Sequence, residues 1–195
     1  MKLTRIAFAM VSCCALTACI AGSDGPDGAI GAISTSQTTL LTITKQGAGT
    51  ITADTDYGSK SIESQLPGFT TQPVQIAVES KTLWTLAAFQ DGFQVIQVLK
   101  GSNGKVGEIH GVTHHLAGPN GERIGMTFSQ IGSSKSRCRV GKDLWRGMAV
   151  CPSKNAANVK LVYAIPGYQG PFDRLPTSED LRGASLQRIV WNPAV

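Results

Sequence analysis

The sequence of 195 residues has little charge and few aromatic side chains: 16% of its residues are charged and 6% are aromatic. A protein with many membrane-spanning helices needs a series of long apolar runs, and this sequence does not contain such a series. Its hydrophobic fraction of 42% is nevertheless too high for a disordered chain. The 22 glycines and 9 prolines favour many turns, so we expect one globular domain made of short elements.

The spaced motifs of common catalysts are also absent. The sequence contains no GxSxG nucleophile elbow, no GxxxxGK[ST] phosphate loop, no HExxH zinc motif and no dinucleotide-binding fingerprint. Because these chemistries depend on fixed spacing, their absence favours a binding or structural protein without a cofactor. The alternative is a hydrolase acting on cell-wall or lipid material, with its acid or base among Asp54, Asp56, Glu63 and Glu108.

The amino terminus has the pattern of an export signal. Lys2 and Arg5 precede an uncharged apolar stretch over residues 6–18. As a helix this stretch would be roughly 20 Å long, which is short of the ~30 Å hydrocarbon core of a bilayer. We therefore predict that residues 1–18 are a removable signal peptide rather than a membrane anchor.

The cleavage site predicts a lipoprotein. Leu16-Thr17-Ala18-Cys19 looks like a bacterial lipobox, whereas ordinary signal peptidase would need a small residue where Leu16 stands. Cys19 is then the first residue of the mature chain, and its acyl chains, palmitate among them, make dissociation from the membrane negligible. Ile20 rather than Asp follows Cys19, which favours sorting to the periplasmic face of the outer membrane. The alternative is a plain secreted protein.

The remaining cysteines predict a disulfide bond. Cys13 and Cys14 leave with the signal and Cys19 carries lipid, so Cys138 and Cys151 remain for pairing in the oxidising periplasm. A metal site is the rival interpretation, but neither a CxxC motif nor a nearby His supports it.

The mature chain divides into a tether and a domain. Residues 19–37 are rich in Gly, Ser and small side chains, and they predict a flexible tether before a single β-rich domain over residues 38–195. Asp91-Gly92 and Asn103-Gly104 separate apolar runs, which predicts hairpin turns in an antiparallel meander over residues 72–114. A similar order follows, with a short helix near residues 128–131 and a hairpin over residues 138–151. We expect a mainly β fold of antiparallel meander sheets in two similar halves, sandwich-like, with two or three short helices.

A basic segment is the main candidate binding site. Asp143 is the only acidic residue between residues 135 and 160, where basic side chains are concentrated. An anionic headgroup, a lipopolysaccharide phosphate or an acidic envelope protein would complement this charge, with Trp145 at the interface. The alternative is a solvated loop, and nucleic acid is excluded by the compartment. The candidate residues are Lys135, Arg137, Arg139, Lys142 and Arg146, around Trp145.

Histidines suggest a metal site only weakly. On an extended strand His110 and His114 would share a face, with Glu108 as a third ligand. Histidines near a strand end are more often simple surface residues, so we predict no metal site.

Several short motifs occur in a characteristic order between Gln46 and Trp191. They are Gln46-Gly47-x-Gly49, Ile51-Thr52-Ala53, Val98-x-Lys100-Gly101, Ile124-Gly125-x-x-Phe128-Ser129, the cysteine pair, Gly170-Pro171 with Leu175-Pro176-x-Ser178-x-Asp180-Leu181, and Ile189-Val190-Trp191. In this order the chain resembles the RpoE-regulated lipoproteins of Gram-negative bacteria, a domain family without assigned function. The resemblance implies a lipid-anchored, mainly antiparallel β domain in the periplasm, made under the envelope-stress sigma factor. It supplies no catalytic residue.

Overall fold

The structure is a computed structural model that describes residues 38–193. The predicted signal peptide, the predicted lipidation site Cys19 and the tether over residues 19–37 lie outside the described residues. Within the described part of the chain, no helix combines the length and the apolar character needed to cross a bilayer.

The first half of the domain is a short strand, a helix and a four-stranded meander. Asp91 and Gly92 have φ angles of 50° and 80°, so the predicted tight turn joins the second and third meander strands. The turn at Gly104 is longer than predicted, because the connection spans residues 101–105 and the Gly101 N–H donates to the Lys105 carbonyl at 2.7 Å. The elements are β1 (Leu41–Thr42), α1 (Ser59–Gln65), β2 (Thr70–Ala77), β3 (Thr82–Gln90), β4 (Phe93–Lys100) and β5 (Val106–Gly111).

The second half repeats this order with one added helix. A capping box starts its first helix: the Thr127 hydroxyl accepts from the Gln130 N–H, and the Gln130 side chain accepts from the Thr127 N–H. Short 3-10 helices cover Lys135–Arg137 and Asp143–Trp145. The elements are β6 (Leu116–Ala117), α2 (Phe128–Ile131), β7 (Arg139–Val140), β8 (Ala149–Ser153), β9 (Ala156–Ala164), α3 (Ser178–Arg182) and β10 (Ser185–Trp191).

The two meanders form one antiparallel sheet of eight strands in the order β2-β3-β4-β5-β10-β9-β8-β7. They are hydrogen-bonded edge to edge through β5 and β10, where Ile109 lies opposite Trp191. A layer made by the parallel pair of β1 and β6 and by the helices packs against one face of this sheet. The fold is therefore mainly β, as predicted, with the two halves side by side in one sheet.

The main core lies between the sheet and this layer, on what we call the first face. Trp191 is its largest fully buried side chain, and the indole N–H donates to the Lys45 carbonyl at 3.0 Å. Ile43, Leu116 and Ile62 come from the layer and pack on apolar side chains of the sheet. Burial of this apolar surface is the main stabilising contribution to the fold.

The opposite, second face of the sheet has a smaller apolar cluster beside buried polar groups. Trp145 covers Val150, Val162 and Val190. His110 lies directly opposite Val190 in the pairing of β10 with β5, and no part of His110 is exposed to solvent. A buried imidazole requires hydrogen-bonding partners, so this face brings polar chemistry close to an apolar floor.

Candidate functional site

Glu79 connects the two edges of the sheet across the second face. Its carboxylate lies in the turn between β2 and β3 and accepts two hydrogen bonds from the Arg139 guanidinium, at 2.5 and 2.7 Å. The same carboxylate accepts the Lys142 N–H at 2.7 Å, and the Glu79 carbonyl accepts the Leu144 N–H at 3.0 Å. The Arg139 hydrogen bonds lower the pKa of Glu79 and outweigh its burial. We call this set of contacts the Glu79 latch.

A cavity of about 380 Å³ opens beside the Glu79 latch, and we call it the cleft. Its apolar surface comes from Trp145, Val150, Val190 and Val78, while charged side chains line the rest. A cavity of this size with an apolar floor and a few converging polar groups is typical of small-molecule sites. The polar lining residues are Glu79, Ser80, Glu108, Arg139, Lys142, Asp143, Lys160 and Asn192.

Two lysines, Lys142 and Lys160, contribute positive charge to the cleft outside the Glu79–Arg139 ion pair. Among the described residues, neither Lys142 nor Lys160 forms an ion pair, whereas Arg139 is bound to Glu79. Burial lowers the pKa of Lys160, and the nearby charge of Arg139 lowers it further. An anion in the cleft could therefore contact both ammonium groups without displacing a close ion pair.

A buried network fixes one wall of the cleft. Arg188 donates to the Gln97 side-chain oxygen at 2.8 Å and to His110 Nδ1 at 3.3 Å. With Nδ1 as the acceptor, His110 Nε2 carries the proton and donates to Glu108, which also accepts from Asn192 at 3.3 Å. Burial lowers the pKa of Arg188. The network holds the Glu108 carboxylate at the cleft in one orientation.

The structure separates the basic residues that the sequence groups together. Arg139, Lys142 and Trp145 come to the cleft, while Arg137 lines a cavity near α2 and Lys135 lines a third. Arg146 is exposed on the loop. Only Arg139 belongs to the edge strand β7, whereas Lys135 and Arg137 lie on the preceding 3-10 helix and the other residues lie in the loop that follows β7.

Two of the predicted contacts at the basic segment need correction. Trp145 is 7% exposed, so it is the floor of the cleft and does not lie at an outer interface. The exposed apolar side chain at the loop tip is instead the neighbouring Leu144, at 52%. Arg139 is not a free cation either, because Glu79 occupies its guanidinium.

The predicted disulfide bond is present between Cys138 and Cys151, with an S–S distance of 2.00 Å. Cys138 precedes β7, whose Arg139 lies opposite Val150, so the bond continues the pairing of β7 with β8 by one residue. It closes the loop that carries Lys142 and Trp145 to the cleft. Gly141 is needed in this loop, because a Cβ there would lie 2.2 Å from the Trp145 carbonyl oxygen.

A smaller cavity of about 120 Å³ contains a buried carboxylate that the sequence did not single out. Glu122 is 3% exposed and accepts from the Asn120 N–H at 2.7 Å and from the Ser153 hydroxyl at 2.6 Å. Burial acts to raise the pKa of Glu122, but the hydrogen bonds from Ser153 and Asn120 together outweigh it and lower the pKa. Nearby, burial raises the pKa of Tyr163 to about 12. Since internal donors satisfy Glu122, we interpret this group as structural.

The carboxylates considered for a hydrolase do not converge. Asp54 and Asp56 are exposed, and Asp56 lies 3.6 Å from the Lys105 ammonium. Glu63 accepts hydrogen bonds from Thr71. Of the four carboxylates, Glu108 alone lines the cleft.

The two histidines considered as metal ligands, His110 and His114, have different surroundings. His110 is buried in the network, whereas His114 is exposed beyond the end of β5 and its ring lies 4.0 Å from that of His115. In residues 38–193 no three side chains among His, Cys, Asp and Glu are grouped as metal ligands.

We expect Glu79→Gln to lower the free energy of unfolding by about 1 kcal/mol at pH 7, because it removes a partly exposed ion pair. The folded pKa of Glu79 lies below its usual value, so its stabilisation is complete above about pH 4.5 and is lost as the pH falls through the folded pKa. The difference in Tm between wild type and variant should therefore shrink in acid. Glu179→Gln, in an exposed pair 3.8 Å from Arg182, is the control. An effect that is equal for both variants would contradict a role for the latch.

Comparisons with known proteins give a family and a fold but no activity. No curated protein matches the chain. The crystal structure of the uncharacterized protein yfeY from Escherichia coli is similar with a TM-score of 0.62 and 16% identity, over 77% of this chain and 99% of that one. At this identity the likeness shows the fold alone. Residues 34–193 match the family described as "Protein of unknown function (DUF1131)". The chain belongs to the DUF1131 family.

Proposed function

We propose that the protein is a lipid-anchored lipoprotein on the periplasmic face of the outer membrane, and that it binds an anionic component of the envelope in the cleft. The observation that carries the binding role is the position of Lys142 and Lys160, two cations that form no close ion pair among the described residues, at a cavity with an apolar floor. The lipobox ending at Cys19 supports the anchor. The resemblance to RpoE-regulated lipoproteins supports synthesis during envelope stress.

The architecture of the cleft supports binding by a preformed site. The Cys138–Cys151 bond closes the loop that carries Lys142, and the Glu79 latch holds the same loop against the turn between β2 and β3. A loop fixed before binding loses less conformational entropy when the ligand arrives. An amphipathic anion would place its apolar part on Trp145 and its charged group near the two lysines.

The double variant Lys142→Gln and Lys160→Gln should bind an amphipathic organic anion about tenfold more weakly than wild type, because both cations are lost. The probe is 8-anilinonaphthalene-1-sulfonate, titrated at low salt and detected by energy transfer from tryptophan. Lys60→Gln, an exposed lysine on α1, is the control and should bind as wild type does. Equal affinity in the double variant and the control would overturn the proposed site.

Cys19→Ser should move the protein from the membrane fraction to the soluble periplasmic fraction. The reason is that several acyl chains make attachment permanent, whereas an unmodified chain has no such anchor. Cys13→Ser, within the same signal, is the matched control and should leave the protein in the membrane. The measurement is fractionation of cells with a carbonate wash, followed by mass spectrometry of the amino terminus. Membrane retention of the Cys19→Ser variant would contradict the proposed anchor.

A further inference from the structure

The described chain enters the domain at the end of the sheet away from the cleft. The Thr38 carbonyl lies 3.2 Å from His115 Nδ1, and the His115 ring lies 4.4 Å from the ring of Phe93. Phe93 begins β4, directly after the turn at Asp91 and Gly92. Thr38 is therefore beside the turn between β3 and β4.

The cleft lies at the other end of the same strand. Glu79 and Ser80, which line it, belong to the turn between β2 and β3. The nine residues of β3 separate the two turns, a distance of roughly 30 Å for extended chain. The cleft and Thr38 therefore lie at opposite ends of β3.

The cleft also contains charges of both signs. Arg139 and Glu79 neutralise each other in the latch. The remaining charged groups that line the cavity are Lys142, Lys160, Glu108 and Asp143. A simple anion would bind through the lysines alone. A ligand with a carboxylate and an ammonium group would satisfy both sets.

We propose that the cleft binds a zwitterionic peptide group of the cell wall, namely a stem peptide with a free carboxylate and a free ammonium. The ligand carboxylate lies against Lys142 and Lys160, and its ammonium lies against Glu108. The aliphatic part of the residue packs on Trp145 and Val190. This inference rests on the proposed function, and it adds the second charge of the ligand.

The orientation of Glu108 supports this assignment. His110 Nε2 and Asn192 donate to separate oxygens of the carboxylate, which restricts its orientation at the cleft. A carboxylate held in this way needs little reorganisation to accept a further donor. Asp143, exposed at the mouth, adds negative charge on the path of an approaching ammonium.

The test is sedimentation of the mature chain with isolated cell-wall sacculi, using the Cys19→Ser background so that no lipid anchor contributes. Lys160→Gln and Glu108→Gln should each weaken binding about tenfold, whereas Lys60→Gln and Glu179→Gln should not. Acetylation of the free amines of the sacculi should weaken wild-type binding by a similar factor. On acetylated sacculi the Glu108→Gln change should have no further effect, because its partner is already gone.

Glu108 also contacts buried His110, so the Tm of the Glu108→Gln variant is measured to separate a loss of stability from a loss of binding. Asp143→Asn changes an exposed carboxylate of the same cleft and should weaken binding at least twofold without lowering Tm. Equal binding of native and acetylated sacculi, or unchanged binding by both carboxylate variants, would overturn the ammonium contact.

The proposed function and this inference fail in different ways. Lysine-dependent binding to phosphatidylglycerol vesicles with no binding to sacculi would overturn the cell-wall ligand and leave anion binding in place. If the lysine variants bind both sacculi and 8-anilinonaphthalene-1-sulfonate as tightly as wild type does, both proposals are overturned.

Discussion

Replacing Cys138 and Cys151 together by serine is expected to lower the free energy of unfolding by about 3 kcal/mol. The disulfide closes a loop with a sequence separation of 13 residues, and in the chain-entropy model such a crosslink reduces the freedom of the unfolded chain by about this amount. Cys151 is also buried in the main core, where a serine hydroxyl would lack a hydrogen-bond partner. Urea denaturation of the oxidised mature chain measures the change.

Reduction provides the matched control for this prediction. Dithiothreitol should destabilise wild type by a comparable amount and leave the double serine variant unchanged. The same variant should bind 8-anilinonaphthalene-1-sulfonate more weakly, because the released loop carries Lys142 and Trp145. A loss of stability below about 1 kcal/mol would mean that the pairing of β7 with β8 and the Glu79 latch fix the loop without the bond.

Trp191→Ala should cost about 3–5 kcal/mol of stability, the largest effect of any single substitution considered. Trp191 is 1% exposed, and its removal leaves a cavity between the sheet and the layer of β1 and β6. The Lys45 carbonyl also loses the indole N–H that it accepts at 3.0 Å. Chemical denaturation measures the change. If the m-value is the same for wild type and variant, the shift in midpoint reflects stability alone.

Two further tryptophan variants test this explanation. Trp191→Phe fills most of the space but donates no hydrogen bond, so it should fall between wild type and alanine. Trp84→Ala is the control, since Trp84 is 67% exposed and its loss should change stability by about 0.5 kcal/mol or less. Similar costs for Trp84→Ala and Trp191→Ala would contradict the assignment of Trp191 to the core.

Local patterns in the sequence predict the meander well. The turn at Asp91 and Gly92 depends on residues that tolerate positive φ, and α2 is found where a short helix was expected. The disulfide follows from counting cysteines. The repeated order of a strand, a helix and a meander also has a local origin, because each half carries its own turn and periodicity signals.

The composition of the cleft depends on contacts that no local pattern contains. Glu79 and Arg139 are 60 residues apart, and they meet because the sheet brings its two edges together. The sequence likewise cannot distinguish Trp145 from Leu144, since the path of the loop decides which side chain turns inward. Lys160 lies in an apolar strand, and its relation to the basic segment follows from the pairing of β9 with β8 and β10.

The two edges of the sheet limit self-association. Unpaired backbone groups on a long, flat edge strand are a template onto which another polypeptide can add, and this is a common route to aggregates. Here β7 is only two residues long, and β2 carries Pro73, which has no N–H to offer an incoming strand. The Glu79 latch also draws both edges toward each other. A domain built on an eight-stranded sheet can therefore stay monodisperse at high concentration.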